Sequence, residues 1–164
     1  MKKLWAPWRM EYIRAPKEER EGACIFCEKP SRHTDREDLI LYRGRTAFIL
    51  MNLYPYNNAH LMVVPYLHTR TTADLDRDTM GEIMTLADQA MQILRRKLRA
   101  EGFNFGANIG AAAGAGIEEH LHFHILPRWV GDTNFMPVIG HTKVLVQGLL
   151  ETYDELKPEF DQIT

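Results

Sequence analysis

The sequence predicts an α+β fold: five short, mainly antiparallel strands in one sheet, one long helix and a second helix near the C-terminus. Three observations carry this. Short apolar runs are bounded by Gly, Pro and Asn, as strands between turns are. One stretch, from about Asp76 to Ala100, repeats its apolar residues at three- and four-residue steps. Strand and helix patterns do not alternate strictly, so a parallel sheet of βαβ units is not expected. At 164 residues the chain fits one domain, and no repeat or linker divides residues 1–164.

The first 20 residues form an aromatic and charged extension in which Trp5, Trp8 and Tyr12 are expected to anchor an extended segment on the body or on a second subunit. "CIFC" follows, then a polar connection. "DLILYRG" and "TAFILMN" read as two strands around a turn at Arg43, Gly44 and Arg45. "LYPYNNA" is a loop, and "HLMVVPY" is a third strand with Pro65 near its end, where a missing N–H is tolerable. The long helix places Met80, Ile83, Met84, Ala87, Met91, Leu94 and Leu98 on one side; "RRKLR" suits its negative end and Gly102 is the expected stop. "FNFGANI" is a fourth strand, "GAAAGAG" a flexible loop and "HLHFHIL" the fifth strand. An irregular stretch to Gly140 precedes a helix over residues 141–157, bounded by Pro158.

Composition excludes several function classes. A net charge of −2, from 20 basic and 22 acidic side chains, gives no general electrostatic footprint for duplex nucleic acid, although a local pocket can still be positive. No basic extension follows residue 150, so a nucleic-acid repair role is not expected. No apolar run approaches the roughly 20 residues a membrane span needs, and "MKKLWAPWRM" has no apolar segment behind its lysines. Two cysteines so close together do not make a disulfide scaffold. A reducing, cytoplasmic setting is expected.

The chemistry concentrates in "EEHLHFHILPRW". His120, His122 and His124 occupy every second position, which in a strand puts three imidazoles on one face and Leu121, Phe123 and Ile125 on the other. Imidazoles have no reason to cluster on a solvent-facing strand, and an internal, interrupted row is not a purification tag. The row reads as a site.

"HLHFHIL" also resembles the signature of the histidine triad (HIT) superfamily, in which three histidines alternate with apolar residues. "NLYPYNNAHLMVVP" is similar to that family's nucleoside-binding segment, where an Asn precedes a His by eight positions and an apolar strand ending in Pro follows. "CIFC" and "NIGAAAGAGIEEHLHFHILPRW" look most like the bacterial branch that includes diadenosine tetraphosphate phosphorylases. The resemblance covers about residues 20 to 150. It implies a HIT-like fold, a homodimer and nucleotidyl transfer through a covalent nucleotidyl-histidine, with no organic cofactor. Neutral imidazole is a good nucleophile near pH 7, which suits His122 for attack on the α-phosphorus and His124 for donation to a phosphoryl oxygen or the leaving group.

The same resemblance places Asn52 near the ribose, His60 beside the base or the triad, and Asn108 with Ala115 and Gly116 around the phosphates. At Ala115 and Gly116 many relatives carry a Ser or Gln that donates to phosphate, so here backbone amides or Asn108 must take that load. Trp129 either closes one side of the pocket or is a core or interface aromatic. The expected reaction is phosphorolysis of diadenosine tetraphosphate by inorganic phosphate. The alternatives are a dinucleoside polyphosphate or nucleoside phosphoramidate hydrolase, and a nucleotide-binding module without turnover. Uridylyltransferase relatives usually carry Gln for the third histidine, and His124 argues against them.

Cys24 and Cys27, with His68 and His120, make two thiolates and two imidazoles, a set suited to tetrahedral zinc in a structural role; His33 or His60 could substitute for His68. A redox pair is the rival. Such pairs open a helix, whereas "CIFCEKPS" runs into Pro30.

Overall fold

The computed structural model describes residues 24–132 and 147–163. The N-terminal extension and the stretch 141–146, where the second helix was expected to begin, lie outside the described residues. The sheet is as expected: β1 (Ile40–Arg43), β2 (Ala47–Met51), β3 (Leu61–Pro65), β4 (Gly102–Ala107) and β5 (Phe123–Arg128), ordered β1-β2-β3-β5-β4 with every neighbouring pair antiparallel. The fold is α+β.

The polar connection after "CIFC" is instead helical. Helix α1 (Ile25–Arg32) and the single turn α2 (Asp35–Asp38) occupy it. Cys24 is the N-cap of α1 and Pro30 lies inside it, so the proline does not exclude a helix opening at the cysteine pair. What holds the short α1 is burial: Phe26 is 1% exposed and joins Ile40, Phe48, Leu50, Met62 and Val64 in one apolar cluster.

The opposite face of the sheet carries the larger core. Long helix α3 (Arg77–Leu98) lays Ile83, Leu86, Ala87, Ala90 and Leu94 against Ile49, Leu61, Val63, Phe123 and Ile125. Because β2 and β3 are covered on both faces, all five residues of each are buried. The side chain of the N-cap Asp76 accepts from the Thr79 N–H, and the helix ends one residue past Leu98 with Arg99 at φ 52°. Arginine therefore takes the left-handed position expected near Gly102, which opens β4 instead. At the β1–β2 turn the Glu82 carboxylate accepts from the Arg45 and Thr46 N–H groups. A Cβ on Gly44 would meet that carboxylate and would lie 2.7 Å from the Ala47 carbonyl oxygen, which cannot yield, so only glycine fits the turn.

Helix α4 (Leu149–Phe160) closes the same core with Tyr153, Leu156 and Phe160, and the Tyr153 hydroxyl donates to the Ile40 carbonyl at 3.0 Å. It starts later than expected and passes through Pro158. The missing N–H costs one bond in the last turn, where buried Leu156 and Phe160 keep the turn seated.

Candidate active site

Only His124 of the histidine row lies within strand β5; His120 and His122 precede it, outside the ladder. The register shows why. Val63 pairs with Phe123 and Leu61 with Ile125, so the next position on β3, Pro65, would face Leu121 without an N–H to donate. The Leu121 N–H bonds to the Thr69 carbonyl at 2.6 Å instead, and the Pro65 carbonyl accepts from His120 Nε2 at 2.9 Å. Alternation continues without the ladder, and the three imidazoles still share one face.

His122 and His124 open into a cleft between α1 and the sheet, lined also by Phe26, Asn52, Met62, Asn108 and Gly116. The partners of each ring determine its tautomer. His122 Nδ1 lies 2.8 Å from the His120 carbonyl, an acceptor, so Nδ1 carries the hydrogen and Nε2 keeps its lone pair. Burial holds its pKa below the usual histidine value, and the ring is neutral at pH 7. Phe26 packs on it with ring centroids 5.0 Å apart.

His124 is set the other way by a chain of bonds. His60 Nδ1 accepts from the Tyr56 backbone N–H at 3.1 Å and from Asn52 Nδ2 at 3.2 Å. His60 therefore carries its hydrogen on Nε2 and donates it to His124 Nδ1 at 2.9 Å. His124 is left with a hydrogen on Nε2, an N–H donor on a cleft-lining side chain whose ring centroid is 4.8 Å from that of His122. Asn52 lines the cleft while holding this chain, and its Oδ1 accepts from the Tyr54 N–H.

Of the remaining expected residues, Asn108 and Gly116 are on the cleft wall. Ala115 is adjacent, with its N–H directed to the Gly110 carbonyl at 3.5 Å. Trp129 does not line the cleft: its indole N–H donates to the Leu98 carbonyl at the end of α3 at 2.9 Å, and the ring packs on the larger core. Tyr56 and Phe26 were not foreseen. Phe26 lies inside "CIFC", where the spacing of the two cysteines drew attention away from the aromatic between them.

Cys24, Cys27, His68 and His120 converge, with one ligand atom from each lying within 4.8 Å of the others. Sγ of Cys24 is 3.2 Å and Sγ of Cys27 3.6 Å from His120 Nδ1, and His68 Nδ1 is 3.4 Å from Cys27 Sγ. A tetrahedral zinc with ordinary Zn–S and Zn–N lengths places sulfur and nitrogen roughly 3.5 Å apart, so the donor set fits. The Pro65 carbonyl takes the Nε2 hydrogen of His120 and leaves Nδ1 as the lone-pair atom, as ligating histidines require. His33 is instead the left-handed cap of α1, and His60 belongs to the other end of the row. Partial burial and the adjacent Cys24 push the Cys27 thiol up to about 11, the reverse of the activated thiolate of a redox pair.

A five-stranded antiparallel sheet bearing alternate imidazoles at the wall of an apolar cleft defines a histidine triad protein. Residues 33–130 match the family described as HIT domain, and the chain belongs to that family. It is 39% identical over 166 residues to AP-4-A phosphorylase of Mycobacterium tuberculosis, which aligns with 98% of this chain and 85% of the relative. The protein is a HIT-family enzyme. Among solved structures, a Zn-bound histidine triad family protein from Mycobacterium smegmatis superposes with a TM-score of 0.68 at 23% identity, covering 85% of this chain and 94% of the other. A hypothetical histidine triad nucleotide-binding protein from Sulfolobus tokodaii gives 0.67 at 23% identity, over 84% and 92% of the two chains.

Proposed function

We propose that the protein transfers a nucleotidyl group through a covalent nucleotidyl-His122, in the phosphorolysis of diadenosine tetraphosphate to ATP and ADP. The observation that carries this reading is the pair of opposite tautomers side by side in the cleft, a lone pair on His122 Nε2 and an N–H on His124 Nε2. His122 Nε2 bonds to the α-phosphorus as the bond to the tetraphosphate bridge oxygen breaks, and ATP departs. The His120 carbonyl, already paired with the Nδ1 hydrogen, stabilises the cationic ring of the intermediate. His124 donates to the oxygens on which charge accumulates. Phosphate then attacks the same phosphorus, the P–N bond breaks, and ADP leaves with His122 restored.

Phosphate as acceptor is supported by the phosphorylase of M. tuberculosis, with which this chain aligns almost from end to end. Water at about 55 M competes with it, so the site must orient phosphate, and the presence of Asn108, Gly116 and His124 in the cleft lining supports that reading. The cysteine and histidine cluster we read as a structural zinc site held by Cys24, Cys27, His68 and His120, where zinc cross-links α1 to the segment before β5. The edge strand β4, with Phe105 exposed 37% and Ile109 beyond it 50%, supports a homodimer. No described helix is long and apolar enough to cross a membrane; the cytoplasmic reading rests on the cysteine usage.

The deciding assay follows products from diadenosine tetraphosphate with and without phosphate. ADP and ATP that rise with phosphate support the reading. AMP and ATP at a phosphate-independent rate establish a hydrolase.

A further inference from the structure

The cleft spans part of the sheet's width, and most of its apolar lining lies toward α1 and β2, with Asn52 and Tyr54 among it. His124 stands on β5, and Asn108 and Gly116 follow β4; Ile25, Leu50 and Leu53 line the other end, toward β1 and β2. β2 lies two strands from β5, roughly 10 Å at the usual strand spacing. With a nucleotide's α-phosphorus at His122, its base falls in the apolar half, because a planar heterocycle packs on apolar walls while phosphate needs donors. One lysine lines that half.

Lys29 shares a face of α1 with Ile25 and Phe26, four and three residues before it. Its ammonium donates to the Asp38 carbonyl at 2.9 Å, just before β1. The Asp38 carboxylate is farther off, with Oδ1 3.8 Å from Lys29 and 3.6 Å from Arg32, while Oδ2 accepts from the Thr34 hydroxyl. Among the described residues, then, one of the three ammonium hydrogens has a close acceptor. A cation serving only the end of α1 has no need of a cleft. Arg32, in the same turn, fills that role with its side chain 53% exposed, against 17% for Lys29.

We propose that Lys29 reads the edge of the base and makes the cleft prefer a 6-oxopurine, guanine or hypoxanthine, over adenine on the nucleotide transferred to His122. This rests on the cleft being the nucleotide site and deepens that reading. An ammonium is a donor only. A 6-oxopurine presents two adjacent acceptors, O6 and N7, whereas adenine presents N7 beside an amino group that is itself a donor. The substrate class widens to dinucleoside tetraphosphates with guanine on the transferred side, the adenine compound being the weaker substrate.

Calorimetric titration of the wild-type protein with AMP, IMP and GMP tests this directly. IMP and GMP are expected to bind about tenfold more tightly than AMP, as one good base-edge contact allows. Lys29→Met removes the preference, so that IMP and GMP bind no more tightly than AMP. Lys29→Leu, which keeps an apolar stem and has no donor, does the same if the methionine variant fails to fold. Phosphorolysis of a mixed adenosine–guanosine tetraphosphate gives GDP and ATP in excess of ADP and GTP. Equal binding of AMP and IMP by the wild type, a preference that survives in both variants, or equal product pairs overturns the role of Lys29 and leaves the nucleotidyl-transfer reading standing. Failure of all three mononucleotides to bind overturns the nucleotide site itself, and this inference with it.

Discussion

His120 and His124 flank His122 at the same spacing, are both buried, 0% and 8% exposed, and both carry the hydrogen on Nε2, yet they turn opposite nitrogens to their sites. His120 gives its Nε2 hydrogen to the Pro65 carbonyl and turns the Nδ1 lone pair toward two sulfurs. His124 accepts at Nδ1 from His60 and keeps an N–H at Nε2, in the cleft. One end of the row is built to hold a cation and the other to donate to an anion. The difference shows that an imidazole's task is determined by the partner of its second nitrogen, and that partner comes from elsewhere in the chain.

Removing the residue between the two ends should have the largest effect. His122→Ala is expected to lower kcat by roughly 10⁴-fold or more while nucleotide binding stays within a few-fold, because the nucleophile goes and the pocket remains. Rapid-quench turnover with parallel binding measurements checks this, and retention of a substantial fraction of wild-type kcat defeats the assignment.

Breaking the His120 end alone sharpens the contrast. Cys24→Ser with Cys27→Ser should abolish binding of about one zinc per chain and lower the melting temperature, since binding energy at such a site is folding energy. Plasma emission analysis of wild-type protein purified without added zinc gives the reference. Metal-free wild type that readily forms a Cys24 to Cys27 disulfide would restore the redox reading.

At the other end, His124→Ala should lower kcat about 10²-fold as one charge-stabilising donor is lost. His60→Leu removes the bond that orients His124, and about a tenfold loss in kcat with little change in KM is expected. The informative quantity is the double variant: if His60 acts through His124, the two losses do not add. Fully additive losses would separate His60 from the relay.

The smallest effect concerns stability near the His124 end. Asp132 accepts from both sides of the Arg128 guanidinium and from Asn57, tying the end of β5 to the loop that carries Tyr56. Chiefly through the Arg128 bonds, its carboxyl is lowered from the usual 3.8 to about 2. A carboxyl lowered by folding adds stability above its unfolded pKa and loses it as pH falls through its folded one. Between about pH 4 and pH 2 the wild type should therefore lose a stabilisation that Asp132→Asn lacks at every pH. Urea unfolding curves for the two proteins should converge as pH falls across that window, and a constant gap would exclude the ion pair as the cause.

Much of the architecture was legible in local pattern. Short apolar runs bounded by turn residues marked the five strands, and the three- and four-residue steps marked α3, because both patterns are written in consecutive residues. Helix α1 was not legible: Pro30 argued against it, and what overrides the proline is burial of Phe26 beneath strands that arrive later in the chain. The same holds for the helix end at Arg99 and for α4 continuing through Pro158. The donor set Cys24, Cys27, His68 and His120 could be named from sequence and family resemblance, and His60 could be named as one of two possibilities.

By itself the sequence determined the sheet, the long helix and three imidazoles on one face, since each follows from a pattern along a short segment. The tertiary structure alone decided which nitrogen of His120 and of His124 carries the hydrogen and which side chain faces the cleft. The bonds that make those decisions link residues 55, 64 and 96 positions apart, from His120 to Pro65, His124 to His60 and His120 to Cys24. No local period reaches that far; only packing α1 and β3 against the row brings those atoms within bonding distance.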